Sequence, residues 1–249
     1  MLEKQKNTYV YEEPYFYITE DRYENTKEIF LFLSKLISKN YQKNDNIDIC
    51  DHGTATGELP YYLQKIFKKA DIKACDVSEI LLEKAIKQVP KVKFFKKSVL
   101  DSECWPPRSH DINTCIGVLQ VFDEFETTID NLINWTKDRG TVYLHGLFNN
   151  FPLDVDIKYN YSKNRNTSVK ERGWNIFSKD SISSFLEKNK RIKSYKFYDF
   201  EIKIDLEKKE DKTHNHIRSW TFEDASGKKI ITNGLNIMQP HCILEIQLH

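Results

Sequence analysis

The sequence predicts an α/β fold, in which a doubly wound, mostly parallel seven-stranded sheet carries helices on both faces. Short apolar runs typical of buried strands alternate five times with segments of helical periodicity, and the connections between them are short. Towards the C-terminus, apolar and polar residues alternate, which indicates antiparallel strands with one solvated face. An N-terminal helical cap and an insertion after the fifth strand complete the predicted architecture.

Residues 1–44 are predicted to form an aromatic arm followed by a helix. The arm contains several tyrosines, among them Tyr15 and Tyr17, and it is either a loosely packed segment or a lid over a site. After it, apolar residues recur at helical spacing as far as Tyr41. The rest of the chain, residues 45–249, is predicted to form one domain.

The stretch from Asn46 to Leu59 is predicted to form a strand, a loop of small residues and the start of a helix. This order opens a nucleotide-binding βαβ unit. Glycine lets the backbone turn tightly and approach a ligand, so this loop is the first candidate for a binding site.

Four more strands follow, with helices between them. The predicted strands are Ile72 to Cys75, Val92 to Phe95, Asp111 to Ile116 and Thr141 to His145. The predicted helices are Leu59 to Lys69, a segment capped by Ser78, and Glu126 to Lys137.

Beyond His145 the pattern changes. An irregular insertion is expected over about residues 146–177, followed by a helix from Ser178 to Asn189 and a strand over residues 192–206. A β-hairpin is expected over about residues 217–232, and a last strand over Cys242 to Leu248.

Composition excludes several classes of protein. The 249 residues include 38 Lys and Arg against 37 Asp and Glu, a balance that argues against a dedicated nucleic-acid-binding module. No apolar run reaches about 18 residues and no signal-peptide segment opens the chain, so we expect a cytoplasmic protein without a membrane partner. The five cysteines form no C-x-x-C pair and no zinc spacing, so we expect reduced, buried thiols and no metal site.

Two acidic residues mark the ends of the first two strands. The loop reads D-x-G-x-A-x-G from Asp51 to Gly57, and Asp76 follows 19 positions later. With Asp111–Ile112 and Val118–Leu119 downstream, these features resemble class I S-adenosylmethionine-dependent methyltransferases over about residues 45–148. A dinucleotide-binding dehydrogenase would carry G-x-G-x-x-G instead. The resemblance implies a Rossmann-like domain, S-adenosylmethionine as cofactor and S-adenosylhomocysteine as product.

The resemblance also implies roles for individual residues. The residues implied to face the methionine part of the cofactor are Asp51, Gly53, Thr54, Ala55 and Gly57. Asp76 would accept both ribose hydroxyls and Val77 would pack against adenine. Ile116 and Gly117 would approach the sulfonium.

The residue that reads adenine is left open by the sequence. Ser98 and Val99 lie where the family often has an acidic residue near the adenine amino group, and Asp101 follows three residues after Ser98. The side chain of Ser98 or Asp101 could serve, but the backbone N–H of Val99 is the preferred interpretation.

Methyl transfer to oxygen or nitrogen can require a base that removes a proton from the acceptor. His145 is the candidate because it ends the fifth strand, at the carboxyl edge of the sheet where ligands bind in such folds. The alternative is a histidine that is hydrogen-bonded within the sheet.

The acceptor is expected to contact residues outside the common core. The candidates are Tyr15, Tyr17, Arg172, Trp174 and Asn175. A loose similarity to methyltransferases of bacterial polysaccharide or secondary-metabolite pathways suggests a small molecule, such as a sugar or a phosphate-bearing metabolite. The D/N-P-P-Y motif of enzymes that methylate nucleic-acid bases is absent after the fourth strand. A non-catalytic S-adenosylmethionine-fold regulatory protein, and an RNA or protein methyltransferase, are the alternatives, and the sequence does not predict an oligomeric state.

Overall fold

The computed structural model describes residues 15–19, 22–164, 170–208 and 218–249. The strands are, in chain order, β1 (Asp48–His52), β2 (Asp71–Asp76), β3 (Lys93–Lys96), β4 (His110–Ile116), β5 (Thr136–Asn149), β6 (Lys158–Tyr159), β7 (Glu171–Arg172), β8 (Phe177–Ser178), β9 (Ile192–Asp199), β10 (Trp220–Glu223), β11 (Lys229–Thr232) and β12 (His241–Leu248). The α-helices are α1 (Tyr15–Thr19), α2 (Glu28–Asn40), α3 (Glu58–Ile66), α4 (Glu79–Gln88), α5 (Glu126–Trp135) and α6 (Lys179–Leu186), and short 3₁₀ turns cover Leu119–Val121 and Ser162–Asn164.

One central sheet organises the fold. Its seven main strands have the order β3-β2-β1-β4-β5-β12-β9, and β8 pairs with β5 as a two-residue addition. The first five of these strands are parallel, whereas β12 runs antiparallel to both β5 and β9. The predicted mostly parallel sheet with antiparallel C-terminal strands is confirmed. The strand order reverses between β1 and β4, and ligands bind at such switch points, outside the carboxyl ends of the strands.

Helices cover both faces of the sheet, as predicted. The core on one face includes Leu33 of α2 and Leu63 of α3, and the core on the other includes Ile129 of α5 and Ile182 of α6. Successive residues of a strand face opposite sides, so both faces of an inner strand between two helical layers are buried. In β1, Ile49 lies in one core and Cys50 in the other, and both are fully buried.

Several regions differ from the sequence prediction. The strand predicted over residues 192–206 ends at Asp199, as β9. β5 extends to Asn149 instead of ending at His145, because β12 pairs with it along its whole C-terminal half, up to His241 opposite Leu147. The insertion is therefore not wholly irregular: β6 and β7 form a small antiparallel sheet, and Leu147, Ile157 and Ile176 form a small core of their own. The β10–β11 pair is antiparallel and lies in the expected hairpin region.

The described part of the N-terminal arm is α1. The ammonium group of Lys84 donates hydrogen bonds to the carbonyl oxygens of Tyr17 and Ile18, at 3.2 and 2.9 Å, and so holds this short helix near α4. Residues 1–14 lie outside the described residues, so the lid stays a prediction. Within the described ranges, no helix combines the length and the apolar character needed to cross a membrane.

Candidate active site

A cavity of about 720 Å³ lies at the switch point of the sheet. Its walls come from the loops that follow β1, β2, β3 and β4, from the C-terminal half of β5, and from the segment before and within α2. Residues 205–207 and 218–220, which precede and begin β10, also contribute. The sequence-predicted residues in its wall are Tyr17, Asp51, Gly53, Thr54, Ala55, Asp76, Val77, Ser98, Val99, Ile116, Gly117, His145 and Trp174. The fold therefore brings most of the predicted site together.

Three sequence-predicted residues lie outside the cavity wall, and each has a structural role. Gly57 has a positive φ of 81° at the start of α3, and a Cβ there would come within 2.9 Å of the Phe94 ring. It allows close packing of helix on strand. The guanidinium of Arg172 forms an ion pair with Asp123.

Asn175 is the third of these residues. Its side-chain amide donates to the Phe122 carbonyl at 2.8 Å and accepts from the Ile157 N–H at 2.9 Å, so its hydrogen-bonding groups join the insertion to the loop that follows β4. The side chain of the remaining acceptor candidate, Tyr15, lies outside the described residues.

The N–H groups of the glycine loop donate hydrogen bonds to the protein itself. Gly53 and Thr54 both donate to the Cys75 carbonyl, at 2.8 and 3.0 Å, and Ala55 donates to a carboxylate oxygen of Asp76 at 2.8 Å. A phosphate cradle needs such N–H groups free to face the ligand. The loop is therefore built to expose small residues and carboxylates, and it does not suit a pyrophosphate.

The loop conformation predicts opposite responses to two substitutions. Ala55 has φ 49°, a region that costs a non-glycine residue about 1–2 kcal/mol. Ala55→Gly removes this strain but loosens the unfolded chain by about 0.4–1 kcal/mol, so the free energy of unfolding should change by less than about 1 kcal/mol. Gly53→Ala should lower it by more than about 2 kcal/mol, because φ is 71° and the new Cβ would lie 2.3 Å from Val118 Cγ2. Urea denaturation measures both, and equal losses in the two variants would contradict the described loop.

Asp51 is a buried carboxylate beside this loop. Only 2% of the residue is exposed, and burial raises its pKa to about 6, while a hydrogen bond from the Thr114 hydroxyl at 2.7 Å acts in the opposite direction. The charge of the neighbouring His52 also lowers this pKa, but no lysine or arginine of the described chain is among the causes of the shift, and the effect of burial is larger. A buried carboxylate whose charge is only partly balanced favours a ligand that brings a positive charge.

Asp76, at the end of β2, has a different environment. Its two oxygens accept the backbone N–H groups of Ser78 and Ala55, at 2.9 and 2.8 Å. Burial raises its pKa, and these backbone hydrogen bonds act in the opposite direction. A carboxylate has about four lone-pair sites, so both oxygens can still accept a hydroxyl each.

The part of the cavity beside Asp76 is apolar. Val77 is 51% exposed, an unusual exposure for a valine, and Leu81 and Leu100 share the wall with it. Such a surface suits the flat face of an aromatic ring. The Asp101 carboxylate accepts the Glu103 N–H at 3.0 Å and does not line the cavity. Asp101 is therefore excluded from the three candidates for the adenine contact.

At the far side of Gly117, the cavity wall contains a pair of histidines whose ring planes are nearly parallel. His145 is 5% exposed, and its Nε2 lies 3.0 Å from Nδ1 of His241, with ring centroids 5.1 Å apart. Burial and the nearby His241 lower the pKa of His145 well below its usual value, so its ring is neutral at physiological pH. No hydrogen bond from the described residues reaches His145 Nδ1.

Several wall residues were missed by the sequence analysis. Gln120 donates to the Gly117 carbonyl at 3.0 Å, and Lys27 forms an ion pair with the buried Glu58 at 2.7 Å. Trp220 and His241 reach the cavity from the C-terminal third of the chain. Gln120 could have been found from its place three residues after Gly117, but the others depend on contacts distant in sequence.

The sequence was also compared with known protein families. The sequence model of the methyltransferase domain family matches residues 20–189, which is more than half of the chain. The chain belongs to this family. It is thus an S-adenosylmethionine-dependent methyltransferase with a Rossmann-like fold.

Solved structures agree on the fold of the methyltransferase. The YcgJ protein of Bacillus subtilis matches with a TM-score of 0.52 and 13% identity, over 86% of this chain and 97% of that one. A SAM-dependent methyltransferase from Aquifex aeolicus matches with a TM-score of 0.51 and 13% identity, over 96% and 100%. TehB from Haemophilus influenzae gives 0.52 and 12%, over 90% of this chain and 62% of TehB. No curated protein matches the sequence.

Proposed function

We propose that this methyltransferase methylates an oxygen or nitrogen atom of a small molecule. The observation that carries the proposal is the continuity of one cavity, which runs from Asp51 and Asp76 past Gly117 to His145 and Trp174. Its volume of about 720 Å³ falls within the range of about 300–1,000 Å³ that is typical of small-molecule sites. A cofactor and a compact acceptor can therefore meet in one space.

The residues of the cavity fit S-adenosylmethionine part by part. Asp51, buried and not paired with a lysine or arginine of the described chain, suits the ammonium group of the methionine end. Asp76 has spare lone pairs for the ribose hydroxyls, and the exposed face of Val77 suits adenine. The Val99 N–H is the proposed adenine contact, since Asp101 does not line the cavity.

When bound, S-adenosylmethionine supplies an electrophilic methyl carbon, whose bond to sulfur breaks as the bond to the acceptor forms. The protein's tasks are to align the acceptor and to take its proton. His145 is neutral and has a lone pair at one ring nitrogen, so it can accept a proton from a hydroxyl or an N–H at the Gly117 end of the cavity. Trp174 offers an apolar surface for the body of the acceptor.

The charge of the acceptor is not decided by Arg172. Arg172, the cation expected to bind a phosphate, pairs with Asp123 and does not line the cavity. Other cationic residues do line it, namely Arg22, Lys27, Lys97 and Arg218. The proposal therefore includes both a sugar and a phosphate-bearing metabolite as acceptor classes.

A screen with purified protein tests this proposal. S-adenosylhomocysteine formation is measured with S-adenosylmethionine and, separately, phenols, amines, sugars and nucleotide sugars, with total RNA and a protein extract as comparisons. At least one small-molecule class should give turnover above the background without acceptor. Turnover with RNA or protein alone would overturn the proposal.

His145→Gln should lower kcat with that acceptor by about 10²- to 10⁴-fold, the usual contribution of a general base. Calorimetry should show unchanged affinity for S-adenosylmethionine, because the cofactor contacts remain. His249→Gln is the matched control, since His249 is exposed at the chain end. An unaltered kcat in His145→Gln would leave His145 as a structural histidine of the sheet.

A further inference from the structure

The antiparallel pairing of β5 with β12 brings two histidines together. His145 lies opposite Ile243, and His241 is two residues before Ile243 on the same strand. Residues two apart on a strand share a face, so His145 and His241 are diagonal neighbours. Both line the cavity.

A chain of hydrogen bonds continues from this pair. His241 Nε2 lies 3.4 Å from the side-chain carbonyl oxygen of Gln239, and the Ser219 hydroxyl donates to the same oxygen at 2.7 Å. Gln239 is buried, which keeps this amide from exchanging its partners for water. The series of hydrogen bonds thus ends at the side-chain oxygen of Gln239, an acceptor that is held in place.

The direction of each hydrogen bond follows from that acceptor. A carbonyl oxygen only accepts, so the neutral ring of His241 carries its hydrogen on Nε2 and presents a bare Nδ1. His145 must then donate from Nε2, at 3.0 Å, and its own Nδ1 is bare. Low pKa values keep both rings neutral, and burial lowers that of His241 to about 4.

The bare nitrogen of His145 lies at the acceptor end of the cavity. Gly117 has no side chain, and a Cβ there would lie 4.0 Å from His145 Nδ1 and 3.9 Å from the Gln120 amide nitrogen, so the space beside Gly117 is open towards this nitrogen. Nδ1 itself is buried in the ligand-free structure and has no hydrogen-bond partner among the described residues. A buried polar atom without a partner is costly, and catalytic hydrogen bonds often form only in the complex, so we expect this nitrogen to gain its hydrogen bond from a bound acceptor.

We propose that His241 is a positioning residue, which with Gln239 holds His145 in the tautomer and orientation that leave Nδ1 bare towards the acceptor. The inference rests on the proposed function, because it assigns His145 its task as base. It adds that the base depends on a second histidine, 96 residues away in sequence. Methyl transfer by itself does not require such a residue.

Nitrogen NMR of the full chain, labelled with ¹⁵N-histidine and without any ligand, tests the arrangement at pH 7.5. The His145 signals, assigned by their loss in His145→Gln, should show an unprotonated Nδ1 and a protonated Nε2. His241→Phe keeps an aromatic ring beside His145 but removes the acceptor, and should give a mixture of His145 tautomers. His241→Asn replaces Nδ1 with an amide oxygen, and should restore the wild-type pattern. A protonated Nδ1 in the wild type, or a His145 spectrum unchanged in His241→Phe, would overturn the proposal.

Kinetics with the acceptor found by the screen give a second readout. His241→Phe should lower kcat by about 10- to 100-fold, part of what a general base supplies, while KM for S-adenosylmethionine stays the same. His241→Asn should recover at least half of that loss on a logarithmic scale. If the screen finds no small-molecule acceptor, the proposed function fails, but the NMR result still decides whether His241 fixes the tautomer of His145.

Discussion

Replacing Asp51 with asparagine is expected to make the ligand-free protein more stable at pH 7.5 and, at the same time, to weaken its binding of S-adenosylmethionine. The free energy of unfolding should rise by about 2–3 kcal/mol, since each unit of pKa shift corresponds to about 1.4 kcal/mol. In a chain of this size the melting temperature should rise by about 4–10 °C. A gain in stability with a loss of binding is typical of a residue that serves ligand binding at the expense of the stability of the fold.

The reason is the cost of a buried charge. Burial raises the pKa of Asp51 from 3.8 to about 6, so the folded protein holds this proton more tightly than the unfolded chain does. Between pH 4 and pH 6 the folded state binds more protons, and stability therefore falls as pH rises through that window. Asparagine stays neutral and keeps an oxygen that can accept from Thr114. The stability difference between variant and wild type should thus be small near pH 4 and reach its full size above pH 6.

Loss of the same proton as pH rises should strengthen cofactor binding, although it lowers the stability of the ligand-free protein. An ammonium group binds the ionised carboxylate, so below pH 6 binding must displace a proton and the Kd should rise about tenfold per pH unit. Asp51→Asn should weaken binding at pH 7.5 by about 10- to 100-fold, the loss of one charge-assisted hydrogen bond. Its Kd should then be nearly independent of pH between 5 and 7.

Asp101→Asn is the matched control, because Asp101 is an exposed carboxylate outside the cavity wall. It should leave both stability and affinity unchanged. Scanning calorimetry and isothermal titration at several pH values measure the two effects. If Asp51→Asn lost stability above pH 6, the carboxylate would have a cationic partner in the protein and the proposed ammonium contact would be wrong.

The cofactor half of the site follows from local sequence. Asp51 and Asp76 each come directly at the end of a buried strand, and the carboxyl ends of neighbouring parallel strands meet at one edge of a sheet. Strand periodicity thus places both carboxylates without knowledge of any long-range contact. Gly57 fits the same motif but serves packing, because spacing alone does not tell a glycine that faces a ligand from one that faces a helix.

The acceptor half could not be predicted in the same way. In the insertion, Arg172 and Asn175 look like binding residues by type, but Asp123 and two backbone groups satisfy them first. The partnership of His145 with His241 depends on the register of β5 and β12, and an offset of one residue would turn His241 to the opposite face of the sheet. The sequence predicted a strand from Cys242, one residue after His241, but not its register.

Replacing Asp76 should have the largest effect on cofactor binding. Charged hydrogen bonds contribute about 1.5–3 kcal/mol each, and two ribose hydroxyls are proposed to bind this carboxylate, so Asp76→Ala should raise the Kd for S-adenosylmethionine by about 10²- to 10⁴-fold. Alanine also deprives the Ala55 N–H of its acceptor and loosens the glycine loop. A loss of affinity in Asp76→Ala would therefore have two possible causes.

Asp76→Asn and a modified ligand separate these causes. Asparagine keeps one oxygen that can accept the Ala55 N–H, so the loop should hold, and the Kd should rise by about 10- to 100-fold. The 2′-deoxyribose analogue of S-adenosylhomocysteine lacks one of the hydroxyls proposed to bind Asp76. Removing that hydroxyl should cost affinity in the wild type and much less in Asp76→Asn, because the two changes remove the same contact. If calorimetry instead gave independent, additive losses, Asp76 would support only the loop, and the ribose would bind elsewhere.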